Sequence, residues 1–360
     1  MTADVVIVGA GPVGMSAAAL LDAAGVAVEL VDLAAGVNPH YSRATTVHPR
    51  TLEVLRGVRG STSGSIVERM VEQGTRLPMT HFGLLTRLLD YRGLDTEFPF
   101  VLMIPQARTE GLLADHLGER GVPIHRGVEV VDLEQDERGV RLTTRRGGRT
   151  DFLEAPFVVG ADGARSAVRG ILGVPFPGSE PSMCGFVADV ELDRPPSHPH
   201  LWQVGKGTLN ALPLPDGAFR VFGTEARDTG LDPQTVRRRR DEPLDIDALR
   251  ASMRRIAGDD WGVRAMRWDP ATPTPPATSS TTGWGGCSWS ATPPTSTCPR
   301  VVRASTSGSR TRRTSRGSSP PRSGAGRLRT CASGRTATRR SGCRSLGGSR
   351  PTRWPRPRCR

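Results

Sequence analysis

The first regular stretch is an unbroken apolar run, Val5-Val6-Ile7-Val8. Four β-branched residues without polar alternation predict a strand buried on both faces of a parallel sheet. Pro12 to Ala24 then reads as an Ala-rich helix, and Val26 to Val31 as a second buried strand ending on Asp32. Helical spacing returns at His48–Arg56, at Ile66–Gln73 and from Pro105 to Gly121, where Leu112, Leu113 and Leu117 supply the apolar face. Between the first two of these, Gly57–Ser65 reads as a flexible interruption, and Leu77–Phe100 follows neither period. Pro123–His125, Val128–Leu133 and Val140–Thr144 read as strands, the last two joined by turn residues Asp136–Gly139. Phe157-Val158-Val159 is another buried strand, followed by a short helix from Ala167 to Leu172. From about Met183 to Gly223 the pattern alternates, with a Pro215-Asp216-Gly217 turn, which predicts an antiparallel sheet. Ile246, Leu249, Met253 and Ile256 mark one more helix, and from Asp269 onward there is no periodicity of either kind.

The residues between the first strand and helix carry chemistry. Gly9, Gly11 and Gly14 stand at G-x-G-x-x-G spacing, with Pro12 and Val13 between the last two. In a strand–turn–helix context the first glycine permits the tight turn. The second lets a pyrophosphate approach the backbone, and the third lets helix pack on strand. The free N–H groups and positive dipole end of the helix then face the phosphates. Asp32 follows Gly14 by eighteen residues, where a carboxylate can accept hydrogen bonds from a ribose diol. This is a dinucleotide site, and FAD and NAD are equally compatible with it.

Composition alters the picture in one region. The formal charge of +13 suggests a polyanion partner, but residues 271–360 hold 18 Arg and no acidic residue. The first 270 residues carry 31 basic against 36 acidic side chains, so specific nucleic-acid binding is not expected of them. Five of the six cysteines (all but Cys184) also fall in the tail, without C-x-x-C pairing, so no metal site is expected. No stretch reaches the apolar length of a membrane span, and Met1 leads almost directly into the first strand, so a cytoplasmic protein is expected.

A second motif discriminates between dinucleotides. In VVGADGARSAVR, Asp162 and Gly163 end a strand before a helix carrying Arg165 and Arg169. The plain reading is a turn with an Asp cap; the functional one is a carboxylate for flavin ribose hydroxyls with basic groups for the pyrophosphate. Together, GAGPVG, SRATTVHPRTLEVL, IPQARTE and VGADGARSAVR resemble the FAD-dependent aromatic hydroxylases (class A flavoprotein monooxygenases), especially those of bacteria that tailor aromatic polyketides. The resemblance spans roughly residues 4–268. It implies an α/β fold, a Rossmann-like FAD-binding domain (1–175) with an inserted antiparallel β-sheet substrate domain (176–268). It implies FAD as cofactor, NAD(P)H as reducing co-substrate, and O2 and a small aromatic substrate as partners. Gly9, Gly11, Pro12, Val13, Gly14 and Asp32 would hold the ADP half. Arg43, Ala44 and Gln106 would contact the ribityl chain and pyrophosphate, and Asp162 and Gly163 would serve both FAD and the reducing nucleotide. No catalytic residue is assigned. Asp32-Leu33 stands where the family usually has Glu-Arg, and Gly57–Ser65 is longer than the family's link.

The family's third motif, Gly-Asp-Ala-Ala-His followed by Pro-x-Gly-Gly-Gln-Gly-x-Asn, is missing from residues 269–360. Out of register by one base, the codons for ATPPTSTCPRVVRAST from Ala291 can encode Gly-Asp-Ala-Ala-His-Val-His-Met-Pro-Ala-Gly-Gly-Gln-Gly-Leu-Asn. Ser307–Arg322 continues as Val-Gly-x-Gln-Asp-Ala-Ala-Asn-Leu-Ala-Trp-Lys-Leu-Ala-Ala-Glu, similar to the family's next helix. The expectation is a frame shift near Trp268–Pro270, a disordered Arg-rich tail, and an impaired hydroxylase. A non-catalytic flavoprotein remnant and an NAD-dependent dehydrogenase are the rival readings.

Overall fold

A computed structural model describes residues 3–36, 44–58, 60, 62–81, 87–196, 200–240, 244–267 and 301–303. All lie in one compact unit, Met1–Thr311. The disorder expected of the tail concerns residues outside this description, apart from 301–303.

The first part runs β1 (Val5–Val8), α1 (Pro12–Ala23), β2 (Val28–Asp32), β3 (Thr46–Val47), α2 (Pro49–Arg56), α3 (Ile66–Gln73), β4 (Thr75–Leu77), β5 (Met79–Thr80), β6 (Leu89–Asp90), β7 (Val101–Met103), α4 (Gln106–Glu119) and β8 (Ile124–Arg126). Then come β9 (Glu129–Gln135), β10 (Val140–Arg146), β11 (Arg149–Ala155), β12 (Phe157–Gly160) and α5 (Ala167–Ile171). The second part holds β13 (Phe186–Leu192), β14 (His200–Val204), β15 (Gly207–Pro213), β16 (Phe219–Glu225), α6 (Pro233–Arg240), α7 (Ile246–Ala257) and β17 (Val263–Met266); β18 is Val301–Arg303.

The parallel sheet has the order β18-β12-β1-β2-β8, and its central strand explains the apolar run. Val5 and Ile7 point into the core shared with α1 and α4, while Val6 and Val8 point into the core under the antiparallel sheet β11-β10-β9. The molecule therefore has three layers here, helices over parallel strands over a meander. Helices α1 and α4 each lead into a parallel strand, β2 and β8, so they run in the same direction. Their C-terminal ends are tied by Arg120 and Asp22 at 2.8 Å, and both N-termini lie at the other end. His116 is fully buried in α4, where burial lowers its pKa and keeps it neutral.

The second part is an antiparallel sheet, β14-β15-β16-β13-β17. Alternation buries Phe186, Ala188, Val190, Leu209, Ala211 and Val221 against Leu249, Met253 and Ile256 of α7, as the helical spacing predicts. Asp245 caps α7 by accepting from Ala248 N at 2.6 Å, and Gly258 ends it in the left-handed region.

Several features differ from the sequence reading. Gly57–Ser65 is not simply a loose link, because Thr62 and Ser63 donate to Glu119 at the end of α4. The elements β11, β17 and β18 were not foreseen; β18 pairs in parallel with β12, Val158 opposite Val301. Leu77–Phe100 resolves into short strands, with Phe98 and Phe100 packed edge to face. Helix α6 is likewise absent from the expected elements; on it Arg237 reaches Glu180 at 3.0 Å and Arg239 pairs with Asp228.

One buried ion pair joins β16 to α7. Glu225, 5% exposed at its side chain, accepts from Arg255 at 2.8 and 2.6 Å and from Ser252 at 2.6 Å, with Arg227 at 3.0 Å. Burial pushes its carboxyl up, but Arg255, Ser252 and Arg227 outweigh this and hold it at about 2 against an ordinary 4.5. Because the folded value is depressed, its contribution is complete above pH 4.5 and is lost as pH falls toward 2. Glu225→Gln should therefore cost about 3 kcal/mol at pH 7. In urea titrations the gap between wild type and variant should narrow below pH 4.5; a gap constant down to pH 3 would refute this assignment.

Candidate functional site

The three polar motifs converge at the C-terminal ends of β1, β2 and β12. The turn after β1 is held by Gly9 N donating to Val31 O at 2.7 Å, and Ala161 N donates to Val8 O at 2.7 Å. Gly9 has φ +105°, and a Cβ there would lie 2.5 Å from Ala161 O. Its lack of a side chain thus seats the Asp162 strand end directly on the first turn. A Cβ at Gly14 would lie 1.8 Å from Gly9 O, so that glycine is required by the helix–strand approach. Gly11 differs from both: a Cβ there would meet nothing within 4 Å. No packing among the described residues explains its missing side chain, and Gly11 immediately precedes the start of α1. No side chain caps that helix start, Pro12 occupies its first position, and no acid lies in its first turn. The first turn, Pro12-Val13-Gly14, is therefore an uncapped positive dipole end beside an open cradle.

Asp32 closes one side of this cradle. Its Oδ2 accepts from Ala10 N at 2.5 Å and its Oδ1 from Ala34 N at 2.7 Å. A carboxylate has about four acceptor positions, so two backbone bonds orient it and leave capacity for a diol. Arg126 of β8 lies 4.0 Å away; no local pattern marks it, since it arrives through the β2–β8 pairing. On the other side, Asp162 Oδ2 accepts from Val168 N at 3.1 Å, and Gly163 has φ +79°. The cap residue of α5 is Ser166, whose side chain accepts from Arg169 N at 2.9 Å, while the bond from Val168 N fixes the Asp162 carboxylate beside the glycine turn. Arg169, expected to favour a pyrophosphate, instead donates to Ala164 O at 2.7 Å and stacks over Phe176 at 4.3 Å.

A second cluster sits at the start of α4. Gln106 N donates to Ala44 O at 2.9 Å, Ala44 N to Gln106 Oε1 at 3.4 Å, and Gln106 Nε2 to Glu110 at 2.7 Å. Because α1 and α4 run in parallel, this cluster lies at the same end of the helices as the glycine loop. Arg43 lies outside the described residues, as does the side chain of Trp202. His48 precedes α2 at its cap position without a capping bond, and His81 Nδ1 is buried without a partner. Neither is near the convergence by any contact described. No group of three or more His, Cys, Asp or Glu among the described residues could hold a metal ion.

Comparison with known proteins gives a consistent family. Residues 2–272 match the FAD binding domain family. An uncharacterized aromatic compound monooxygenase of Bacillus subtilis is 36% identical over 270 residues, covering 74% of this chain and 51% of that protein. The 6-methylpretetramide 4-monooxygenase of Streptomyces rimosus is 39% identical over 246 residues, covering 66% and 42%. Among solved structures, the anhydrotetracycline hydroxylase of Streptomyces rimosus superposes with a TM-score of 0.57 at 31% identity, covering 74% of this chain and 51% of that one. The chain spans about half the length of the curated relatives it matches.

Proposed function

From the premise that the chain belongs to the FAD binding domain family, we propose that it is the nucleotide- and substrate-binding part of an FAD-dependent monooxygenase. Its substrate is a phenolic or aromatic polyketide-like compound, with NAD(P)H as reductant and O2 as oxidant. The observation that carries this reading is the cradle at Gly11, open where its two companion glycines are filled by backbone. That cradle fits the ADP half of FAD. Gly11, Val13 and Gly14 offer backbone N–H groups to the pyrophosphate, Gly9 and Pro12 shape the turn that presents them, and Asp32 takes the adenosine ribose. Ala44 and Gln106, together with Arg43, hold the ribityl side, and Asp162 and Gly163 close the site beside it. Bound there, FAD supplies hydride acceptance from NAD(P)H and the activation of O2. The protein's own part is orientation and the exclusion of water.

The division is 1–175 for the cofactor and 176–268 for the substrate. Residues 269–360 are an out-of-frame product that leaves the site open in this form, so hydroxylation is impaired. The missing third motif also supports a second reading, a flavoprotein remnant that binds FAD without turnover. No helix among the described residues is long and apolar enough to cross a membrane, and we place the protein in the cytoplasm.

Titration of the purified chain with FAD and with NADH tests the reading. FAD should bind at least about tenfold more tightly, a difference of about 1.4 kcal/mol. Equal or tighter NADH binding would favour a nicotinamide dehydrogenase instead.

A further inference from the structure

The antiparallel sheet has one face that α7 does not cover. Leu209 and Ala211 point under α7, so Asn210 and Leu212, which alternate with them along β15, point the other way. Phe222 of β16 lies directly across the ladder from Asn210. On this face Leu212 and Phe222 pack against Leu77 of β4 and Met103 of β7, where the sheet meets the cofactor-binding part. Asn210 is only 7% exposed, and its Oδ1 is buried without a hydrogen-bond partner among the described residues.

An amide oxygen in that position is costly. Among the described residues it has lost its water without gaining a donor, and Phe222 across the ladder offers none. A leucine would fill the same place on the strand and satisfy the apolar surroundings. An apolar wall with one placed acceptor is the chemistry of a small-molecule site, where the polar group fixes orientation. We propose that Asn210 is a specificity residue, its Oδ1 accepting the hydrogen bond of a ring hydroxyl on the aromatic substrate. The proposal rests on the aromatic-hydroxylase reading and adds to it the group that recognises the phenol and orients its ring.

The test compares the 360-residue chain with Asn210→Leu and Asn210→Ser. Thermal unfolding is measured without ligand, then the affinities for FAD, 1-naphthol and naphthalene with FAD bound. Asn210→Leu should unfold at a higher temperature, bind FAD unchanged, and bind 1-naphthol about tenfold more weakly, with naphthalene affinity preserved. Asn210→Ser, which cannot overpack the face, should lose the naphthol preference as well. A naphthol preference that survives in both variants overturns the proposal. So does a lowered unfolding temperature in Asn210→Leu with both ligands weakened equally, the mark of a structural amide. A wild-type chain that binds FAD but does not prefer naphthol defeats the Asn210 assignment alone, whereas a chain that binds no FAD defeats the flavoprotein reading beneath it.

Discussion

A side chain at Gly11 should strongly weaken cofactor binding and leave the fold intact, while a single methyl at Gly14 should destabilise the fold. At Gly11 the backbone (φ −79°, ψ −177°) is open to any L residue, and a Cβ meets nothing within 4 Å. Gly11→Val should therefore change stability by no more than about 1 kcal/mol, the scale of an altered helix start. Its isopropyl group would nonetheless stand in the cradle, and FAD affinity should fall by about 100-fold or more, equivalent to about 2.7 kcal/mol. At Gly14 the obstacle is backbone, Gly9 O at 1.8 Å. Neither partner can rotate away, so Gly14→Ala should cost about 3 kcal/mol through overpacking. Urea unfolding and flavin titration of the two variants separate the cases. Retention of wild-type FAD affinity by Gly11→Val would remove the site from this loop.

A second large effect is expected from the reading frame. On the proposed frame shift near Trp268–Pro270, restoring the frame would replace the arginine-rich tail by the family's third motif and the helix after it. The restored protein should retain flavin through purification and couple NAD(P)H oxidation to a hydroxylated phenol. The 360-residue form should release hydrogen peroxide in place of product, because a site open to water cannot protect oxygen chemistry. The coupled yield should differ by about tenfold or more, at least about 1.4 kcal/mol in partitioning. Equal flavin content and equal coupling in the two forms would show that residues 269–360 do not matter for catalysis.

Much of the cofactor side is legible in the sequence because its signals are local. Val5–Val8, the three glycines and Asp32 lie on one β-α-β unit, and the structure brings them together as their spacing requires. Other parts depend on long-range contacts. β11 escaped notice because Arg149–Glu154 is largely exposed and polar, and only its ladder with β10 makes it a strand. β17 begins just after Trp261, whose φ of +51° breaks the pattern before it. Glu119 pins the glycine-rich loop from 56 residues away in sequence, a pairing no local rule predicts. Arg169 reads as a phosphate ligand by proximity to Asp162, yet Phe176 claims its guanidinium. Asn210 is invisible in a pattern of alternation, since a polar residue on an apparently outward face normally meets water. Its meaning comes only from the burial of that face.

The common direction of α1 and α4 bears on how binding responds to ionic strength. The first 270 residues are net acidic, so attraction for a phosphate-bearing molecule cannot come from a general positive field. At the proposed site it would come largely from peptide dipoles fixed in the backbone and met at hydrogen-bond range. That is well inside the roughly 8 Å over which physiological salt screens charge. Affinity built this way would persist at salt concentrations that strip a polyanion from a surface of exposed arginines.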